Sequence, residues 1–171
     1  MKNNVKNYAF IDGQNLHLGT TETGWSIDYK RFRIYLRDKH NVDEAYYFLG
    51  YVSEEQQELY NNLQRAGFIV SFREHKEAFV GKKKGNVDTD IVFEMMKALI
   101  DEDFNKIILV SGDGDYKKTV DYLIKKGKFE KILFPNQKKA SSLYKNLGNK
   151  FFMDLSQNGL QEKLEYKKRK G

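Results

Sequence analysis

The sequence predicts an α/β fold of three layers, in which a mostly parallel central sheet is flanked by helices on both faces. Short apolar runs of strand length alternate along the chain with amphipathic segments of helical length, a pattern typical of strand–helix–strand crossover units. The helical segments, of roughly 10–15 residues, are long enough to connect parallel strands. A length of 171 residues without a visible repeat or linker fits a single domain.

The strand predictions depend on apolar and aromatic runs that end at polar or glycine-containing stretches. "KIILVSG" (106–112) is almost entirely apolar before its last two residues, as expected for a strand that is covered on both faces. In chain order, the predicted strands are residues 8–12, 44–52, 68–74, 106–112, 130–135 and 151–155.

The helix predictions depend on apolar spacing and on signals at the helix ends. Phe32 and Leu36 have helical spacing in the first predicted helix. Ser53 and Gln56 match a capping box at the start of the second, and Gly67 suits its C-cap. The predicted helices are residues 28–40, 53–66, 89–101, 115–127 and 141–147.

Two further segments show no clear apolar period. Residues 75–86 are predicted to form a loop or small ribbon. Beyond residue 156 the chain is polar and basic. We therefore expect a domain over residues 1–156, followed by a basic C-terminal helix or tail over residues 157–171.

Composition excludes several classes of site. The chain has no cysteine, so it has no disulfide, thiolate metal site or cysteine nucleophile. Its three histidines, His17, His40 and His75, lie far apart and lack zinc-binding spacing. Its apolar runs are shorter than a signal peptide or the roughly 20 residues of a membrane span, which predicts a cytoplasmic protein without a membrane partner.

The net charge of +6 favours a polyanionic partner such as nucleic acid, although acidic residues are also abundant. The positive excess is concentrated in residues 81–85 and 165–171. Lys82, Lys83 and Lys84 are candidates to contact a phosphodiester backbone, and a solvated loop is an equally good interpretation.

Acidic residues follow two predicted strands and open one predicted helix. Asp12 ends the first strand, Asp113 and Asp115 follow the strand at 106–112, and Asp88 opens the helix at 89–101. Each of them alone also suits a helix N-cap or first turn. Ligands of parallel sheets bind at the carboxyl ends of the strands, so we expect these carboxylates to meet there.

Several carboxylates at one edge would repel one another unless a cation lay among them. A hard divalent cation with oxygen ligands, Mg²⁺ or Mn²⁺, fits this donor set. Such a metal suits phosphoryl chemistry. The chain lacks both G-x-x-x-x-G-K-[ST] and a G-x-G-x-x-G after its first strand, so a nucleotide cofactor is not expected.

Three motifs together resemble the NYN domain, in the LabA-like branch of the PIN-like nuclease superfamily. They are "FIDGQNL" (10–16), "KKGNVDTDIVFEMM" (83–96) and "LVSGDGDYKKTVDYL" (109–123), which follow the family pattern D-G-x-N, K-x-x-V-D and S-G-D-x-D-[FY] in order. The resemblance extends over about residues 7–155. Asn149 departs from it, since relatives often carry an acid at this position.

The resemblance implies a PIN-like fold and metal-dependent cleavage of RNA. Asp12, Asp88, Asp113 and Asp115 would then hold one or two Mg²⁺ or Mn²⁺ ions and act as the catalytic residues. The implied supporting residues are Asn15, to hold Asp12 or bind phosphate; Ser111, to orient a carboxylate or water; and Asp90, as an auxiliary ligand. Many proteins of this superfamily dimerise, so a homodimer is a further possibility.

Tyr116 has two interpretations. It directly follows the acidic pair, so its ring could stack on a nucleobase. A tyrosine in the first turn of a helix more often packs into the core. Trp25 is a similar candidate on the loop after the first strand.

Two other functional classes are possible. The chain could be a non-catalytic RNA-binding or protein-interaction module, although carboxylates that repel phosphate argue against it. A phosphatase or Toprim-like enzyme would need D-x-D after the first strand, or a glutamate there, and neither is present. The sequence therefore favours a metal-dependent ribonuclease that acts on single-stranded or structured RNA.

Overall fold

A computed structural model describes residues 5–73, 87–157 and 159–168 of the chain. Within these residues the strands form one parallel sheet of order β3-β2-β1-β4-β5-β6. They are β1 (Asn7–Asp12), β2 (Val42–Leu49), β3 (Ile69–Phe72), β4 (Ile107–Val110), β5 (Phe129–Phe134) and β6 (Phe152–Asp154). The predicted three-layer α/β fold, PIN-like in arrangement, is confirmed.

The strand order places a topological switch point between β1 and β4. The chain builds β1 to β3 outward on one side and β4 to β6 outward on the other. Connections from these two central strands leave in opposite directions, so a crevice opens outside their carboxyl ends. The acidic motifs follow these two strands, so they lie at this crevice.

Helices cover both faces of the sheet. They are α1 (Gly13–Thr21), α2 (Tyr29–His40), α3 (Gln57–Ala66), α4 (Asp88–Asp101), α5 (Lys117–Lys125) and α6 (Leu160–Leu164). The apolar residues of α1, α2, α3 and α6 pack on one face, and those of α4 and α5 pack on the other. None of the helices in the described ranges is both long and apolar enough to cross a bilayer.

The core is split by the sheet because neighbouring residues of a strand point to opposite faces. In β4, Ile108 and Val110 face the cluster under α1, α2 and α3, whereas Ile107 and Leu109 face the cluster under α4 and α5. All four residues are fully buried. The apolar run that predicted this strand therefore contributes side chains to the hydrophobic clusters on both faces of the sheet.

End signals explain several helix boundaries. The Asp28 carboxylate accepts the backbone N–H of Arg31 at 3.0 Å and caps the start of α2. The C-cap of α2 is Asn41, which has a left-handed backbone with φ of 52°. Gly67 ends α3 with φ of 97°, as predicted. The sequence does not predict α1, since its glycine, asparagine and threonine residues are weak helix formers.

Other predicted boundaries need correction. The capping box at Ser53 is wrong, because the Ser53 side chain makes no cap hydrogen bond and a 3₁₀ turn over Glu54–Gln56 precedes α3. The predicted helix at 141–147 is reduced to a 3₁₀ turn over Ser142–Tyr144. The predicted strands 44–52 and 68–74 are shorter at their carboxyl ends than expected.

The C-terminal segment is docked on the domain over its described length. Leu164 of α6 is buried in the core beneath α2. Ile27 and Glu165 form an antiparallel bridge, and the Tyr166 N–H donates to the Ser26 carbonyl at 2.8 Å. The short helix and the segment after it therefore help to cover one face of the sheet.

Candidate metal centre

Asp12 lies at the carboxyl end of β1, where the chain turns directly into α1. Its Oδ1 accepts the backbone N–H of Asn15 at 3.1 Å, so Asp12 is the N-cap of α1. The turn depends on Gly13, because a Cβ there would lie 2.5 Å from the Tyr47 ring and 2.6 Å from the Phe48 carbonyl. The Asp12 side chain is only 4% exposed.

The loop after β4 holds Asp113 and Asp115 in a tight turn. The Ser111 hydroxyl accepts the Asp113 N–H at 3.1 Å, and the Asp113 carboxylate accepts the Asp115 N–H at 3.0 Å. The buried hydroxyl of Tyr144 donates to the Asp113 carbonyl. These bonds fix the backbone that presents the two carboxylates.

Asn15 ties the two loops together. Its side-chain carbonyl accepts the N–H of Gly112 at 2.8 Å, which joins the start of α1 to the end of β4. Its backbone N–H donates to the Asp12 carboxylate, which caps α1. The side-chain oxygen is engaged by Gly112, and the predicted contact of Asn15 with phosphate stays a prediction.

Helix α4 brings Asp88 to the same edge, against the acidic pair after β4. One carboxylate oxygen from each of Asp88, Asp113 and Asp115 lies within 4.8 Å of the others. Within the described ranges, neither Asp113 nor Asp115 forms a salt bridge. Three converging carboxylates provide the hard oxygen ligands that a divalent cation prefers, so the residues fit a metal ion.

Asp12 joins this cluster through a tyrosine. The Tyr116 hydroxyl lies 2.8 Å from Asp88 Oδ1 and 3.1 Å from Asp12 Oδ2. Burial, reinforced by these two carboxylates, holds the pKa of Tyr116 far above its usual range, so the hydroxyl keeps its proton. The hydroxyl has one proton and donates to one carboxylate at a time. It lies between Asp12 and Asp88, two acids that would otherwise repel each other.

The base-stacking interpretation of Tyr116 is wrong for this arrangement. Its ring is fully buried and packs with the core under α4 and α5, so neither face is available to a nucleobase. Trp25 is likewise buried, at 3% exposure. The sequence favours a core position for Tyr116 but gives no sign that its hydroxyl reaches both carboxylates.

Among the acids in the described part of the chain, Asp12 has the most strongly shifted pKa. The pKa of Asp12 is raised from 3.8 to about 6, mainly by burial and to a smaller extent by the nearby charges of Asp88 and Asp113. Hydrogen bonds from Asn15 and Tyr116 act in the opposite direction. The net effect is that removal of the Asp12 proton opposes the stability of the folded, metal-free protein.

The predicted auxiliary ligand Asp90 does not join the carboxylate cluster. Asp90 lies in the first turn of α4, partly buried, and is not one of the three converging acids. Lys82, Lys83 and Lys84 lie outside the described residues, so their predicted contact with a phosphodiester backbone stays a prediction.

A cleft of about 290 Å³ gives access to the acids. Asp12, Asp88 and Asp113 line it together with Leu18 of α1, which is 47% exposed, and Val87. The sequence analysis missed Leu18 and Tyr144. Neither stands in an acidic motif, and Tyr144 reaches Asp113 from 31 positions along the chain.

A parallel α/β sheet with carboxylates at its switch point is the architecture of the PIN-like nuclease superfamily. Residues 7–154 match the NYN domain, and the chain belongs to the NYN family. This confirms the family resemblance of the three motifs.

One curated protein and one solved structure are similar to this chain. The chain is 28% identical over 124 residues to the "Low amplitude and bright protein LabA" of Synechococcus elongatus, a match that covers 67% of this chain and 65% of that protein. The crystal structure of a protein of unknown function from Vibrio parahaemolyticus shares the fold, with a TM-score of 0.76 and 21% identity. That likeness covers 97% of this chain and all of the other.

Proposed function

We propose that this protein is a metal-dependent ribonuclease that hydrolyses phosphodiester bonds of RNA. The observation that carries the proposal is the convergence of Asp88, Asp113 and Asp115 at the switch point of an NYN-family sheet. A site built only to bind RNA would gain nothing from carboxylates that repel phosphate. The same carboxylates become useful when a cation mediates the contact.

The residues of the cluster would hold Mg²⁺ or Mn²⁺, with Asp12 at its buried side. When bound, the metal would supply Lewis-acid stabilisation of phosphate oxygens and lower the pKa of an attacking water. Asn15 and Ser111 keep the loops that carry Asp12 and Asp113 in register. Tyr116 fixes the spacing of Asp12 and Asp88.

The cleft also offers contacts for the rest of a nucleotide. Leu18, which is 47% exposed, provides apolar surface beside the acids, against which a ribose or base can pack. The lysines at 82–84 immediately precede Asp88 in the chain, and we propose that they contact the phosphodiester backbone. RNA as the substrate, a cytoplasmic location and a homodimer remain predictions from the sequence.

The test is cleavage of end-labelled single-stranded RNA and matched DNA in EDTA, Mg²⁺ or Mn²⁺. We expect cleavage of RNA only with metal, and its loss in Asp113→Asn. Asp103→Asn is the matched control, because it removes an exposed charge from the loop before β4, at the opposite edge of the sheet. No cleavage by the wild type, together with RNA binding that Asp113→Asn leaves unchanged, would instead favour the non-catalytic module.

A further inference from the structure

A second pocket lies on the other side of α1 from the acids. Asn15 and Leu18 line the acidic cleft, whereas Leu16 and Thr20 of the same helix line a cavity of about 660 Å³. The walls of this cavity come from α1, the start of α2, the last turns of α3 and the C-terminal segment. We call it the cationic pocket, for the charge of its rim.

The floor of the cationic pocket is apolar and aromatic. Leu16, Ile27 and Tyr47 lie at its base, and each is at least nine-tenths buried. Tyr29 meets Tyr47 edge to face, with ring centroids 5.8 Å apart and an interplanar angle of 88°. Burial raises the pKa of Tyr29, so this wall presents a neutral phenol. A flat apolar group fits such a floor.

The rim of the cationic pocket is positive. Lys30 and Arg65 are exposed on it, and within the described part of the chain neither has an acidic partner. Asp28 is the acid of the lining, and its carboxylate is engaged by the N–H of Arg31 and lies 3.8 Å from the Arg31 Nε. The two cations are therefore available to an anion.

Tyr166 supplies an outer wall. The bridge between Ile27 and Glu165, and the bond from the Tyr166 N–H to the Ser26 carbonyl, fix its backbone beside the pocket. Its side chain is 58% exposed. An exposed aromatic ring held above an apolar floor provides a stacking surface.

We propose that the cationic pocket binds a nucleotide, with the base against the apolar floor and Tyr166, and the phosphate between Lys30 and Arg65. The cavity volume lies within the range of roughly 300–1,000 Å³ that small-ligand sites occupy. A neutral apolar ligand would leave the two cations unused, and a small inorganic anion would leave the floor unused. Both a free nucleotide and one unpaired nucleotide of an RNA strand carry the required chemistry.

The first test is titration with AMP, UMP, adenosine and inorganic phosphate in EDTA. Trp25 is the single tryptophan of the chain and directly precedes Ser26 and Ile27 of the pocket lining, so its fluorescence reports binding alongside calorimetry. We expect one nucleotide per chain, with adenosine and phosphate each about tenfold weaker, because each makes half of the contacts. Absence of nucleotide binding at millimolar concentration would overturn the proposal.

Variants locate the binding. The pair Lys30→Gln with Arg65→Gln, and separately Tyr166→Ala, are expected to weaken AMP binding about tenfold. These side chains are exposed, so the fold should tolerate the changes. Lys118→Gln and Tyr122→Ala, on α5 across the sheet, are the matched controls. AMP binding that is equally sensitive to the controls, or insensitive to all variants, would place the nucleotide elsewhere.

A short oligoadenylate in the same buffer identifies the source of the nucleotide. Competition with AMP, and loss of oligonucleotide binding in the Lys30 and Arg65 variant, would mean that the pocket holds a nucleotide of an RNA strand. Oligonucleotide binding that this variant leaves unchanged would mean that the pocket takes free nucleotide. EDTA removes the metal, so failure of RNA cleavage in the earlier experiment does not affect these results.

Discussion

The two sides of α1 carry opposite chemistry. On one side, the acidic cleft gathers the carboxylates of Asp12, Asp88, Asp113 and Asp115 around a site that needs a cation. On the other side, the cationic pocket places an apolar floor beneath Lys30 and Arg65, which suits an anion. A single short helix separates them, since Asn15 and Leu18 of α1 line the acidic cleft and Leu16 and Thr20 line the cationic pocket.

The charged groups of the two cavities are held in different ways. The acids are attached to rigid points, namely the ends of β1 and β4 and the first residue of α4, and hydrogen bonds fix their backbone. The cations of the rim stand on long exposed side chains. We infer that the acidic cleft is preorganised for a small hard ion, whereas the cationic pocket adapts to a larger ligand.

The strongest test of this separation uses Mn²⁺ and AMP as independent probes. Asp113→Asn removes one of three converging carboxylates, so we expect Mn²⁺ affinity to fall at least about 100-fold. AMP affinity in EDTA should be unchanged. Calorimetry measures the affinities for Mn²⁺ and AMP on the same protein. In the Lys30 and Arg65 variant we expect weaker AMP binding and unchanged Mn²⁺ binding. If Asp113→Asn or the Lys30 and Arg65 variant impaired the binding of both ligands, the two cavities would act as one site.

The sequence predicts a site well when the residues of that site lie in short motifs or at the ends of strands. Asp113 and Asp115 belong to one short motif after an apolar strand, and Asp12 ends another strand. The rule for parallel sheets brings strand ends together without any knowledge of side-chain packing. The fold and the acidic edge were therefore predictable.

The cationic pocket could not be predicted from the sequence, because its residues share no motif and no strand end. Leu16, Lys30, Arg65 and Tyr166 come from three helices and the C-terminal segment, and no motif joins them. Their meeting depends on the packing of α1, which has little helical periodicity, and on the bridge between Ile27 and Glu165. Long-range packing of this kind leaves no pattern in a local window.

The next prediction concerns the folding stability that is lost when Asp12 ionises inside the acidic cleft. Because the pKa of Asp12 is raised from 3.8 to about 6 in the folded chain, Asp12 lowers stability progressively as pH rises from about 4 to about 6, and the loss is complete above that value. Asp12→Asn cannot ionise and retains an oxygen to cap α1. In EDTA at pH 8 we expect the variant to be more stable by up to about 3 kcal/mol, a gain that fades as pH falls towards 4.

Urea unfolding at pH 4, 6 and 8 measures this gain. Asp103→Asn serves as the control, because it removes an exposed carboxylate at the opposite edge. A gain independent of pH would contradict the assignment of the raised pKa to Asp12.

A third prediction concerns a substitution that displaces α1, the helix between the two cavities. Gly13 begins α1, and a Cβ at this position would lie 2.5 Å from the Tyr47 ring and 2.6 Å from the Phe48 carbonyl. Gly13→Ala therefore has to displace the start of α1, which we expect to cost about 2 kcal/mol. Both Mn²⁺ and AMP should bind more weakly. Gly24→Ala, where a Cβ meets no atom but φ is positive, distinguishes backbone strain from this collision.

The smallest expected effect comes from the hydroxyl that joins the acids. Tyr116→Phe keeps the buried ring but removes the group that lies 2.8 Å from Asp88 and 3.1 Å from Asp12. We expect the metal-free protein to lose about 1 kcal/mol, because two buried carboxylates lose a shared donor. Mn²⁺ should then raise the melting temperature of the variant more than that of the wild type, since the cation relieves repulsion that Tyr116 otherwise moderates. An equal rise in both proteins would show that the hydroxyl packs beside the acids without moderating their charge, and AMP binding should be the same in either case.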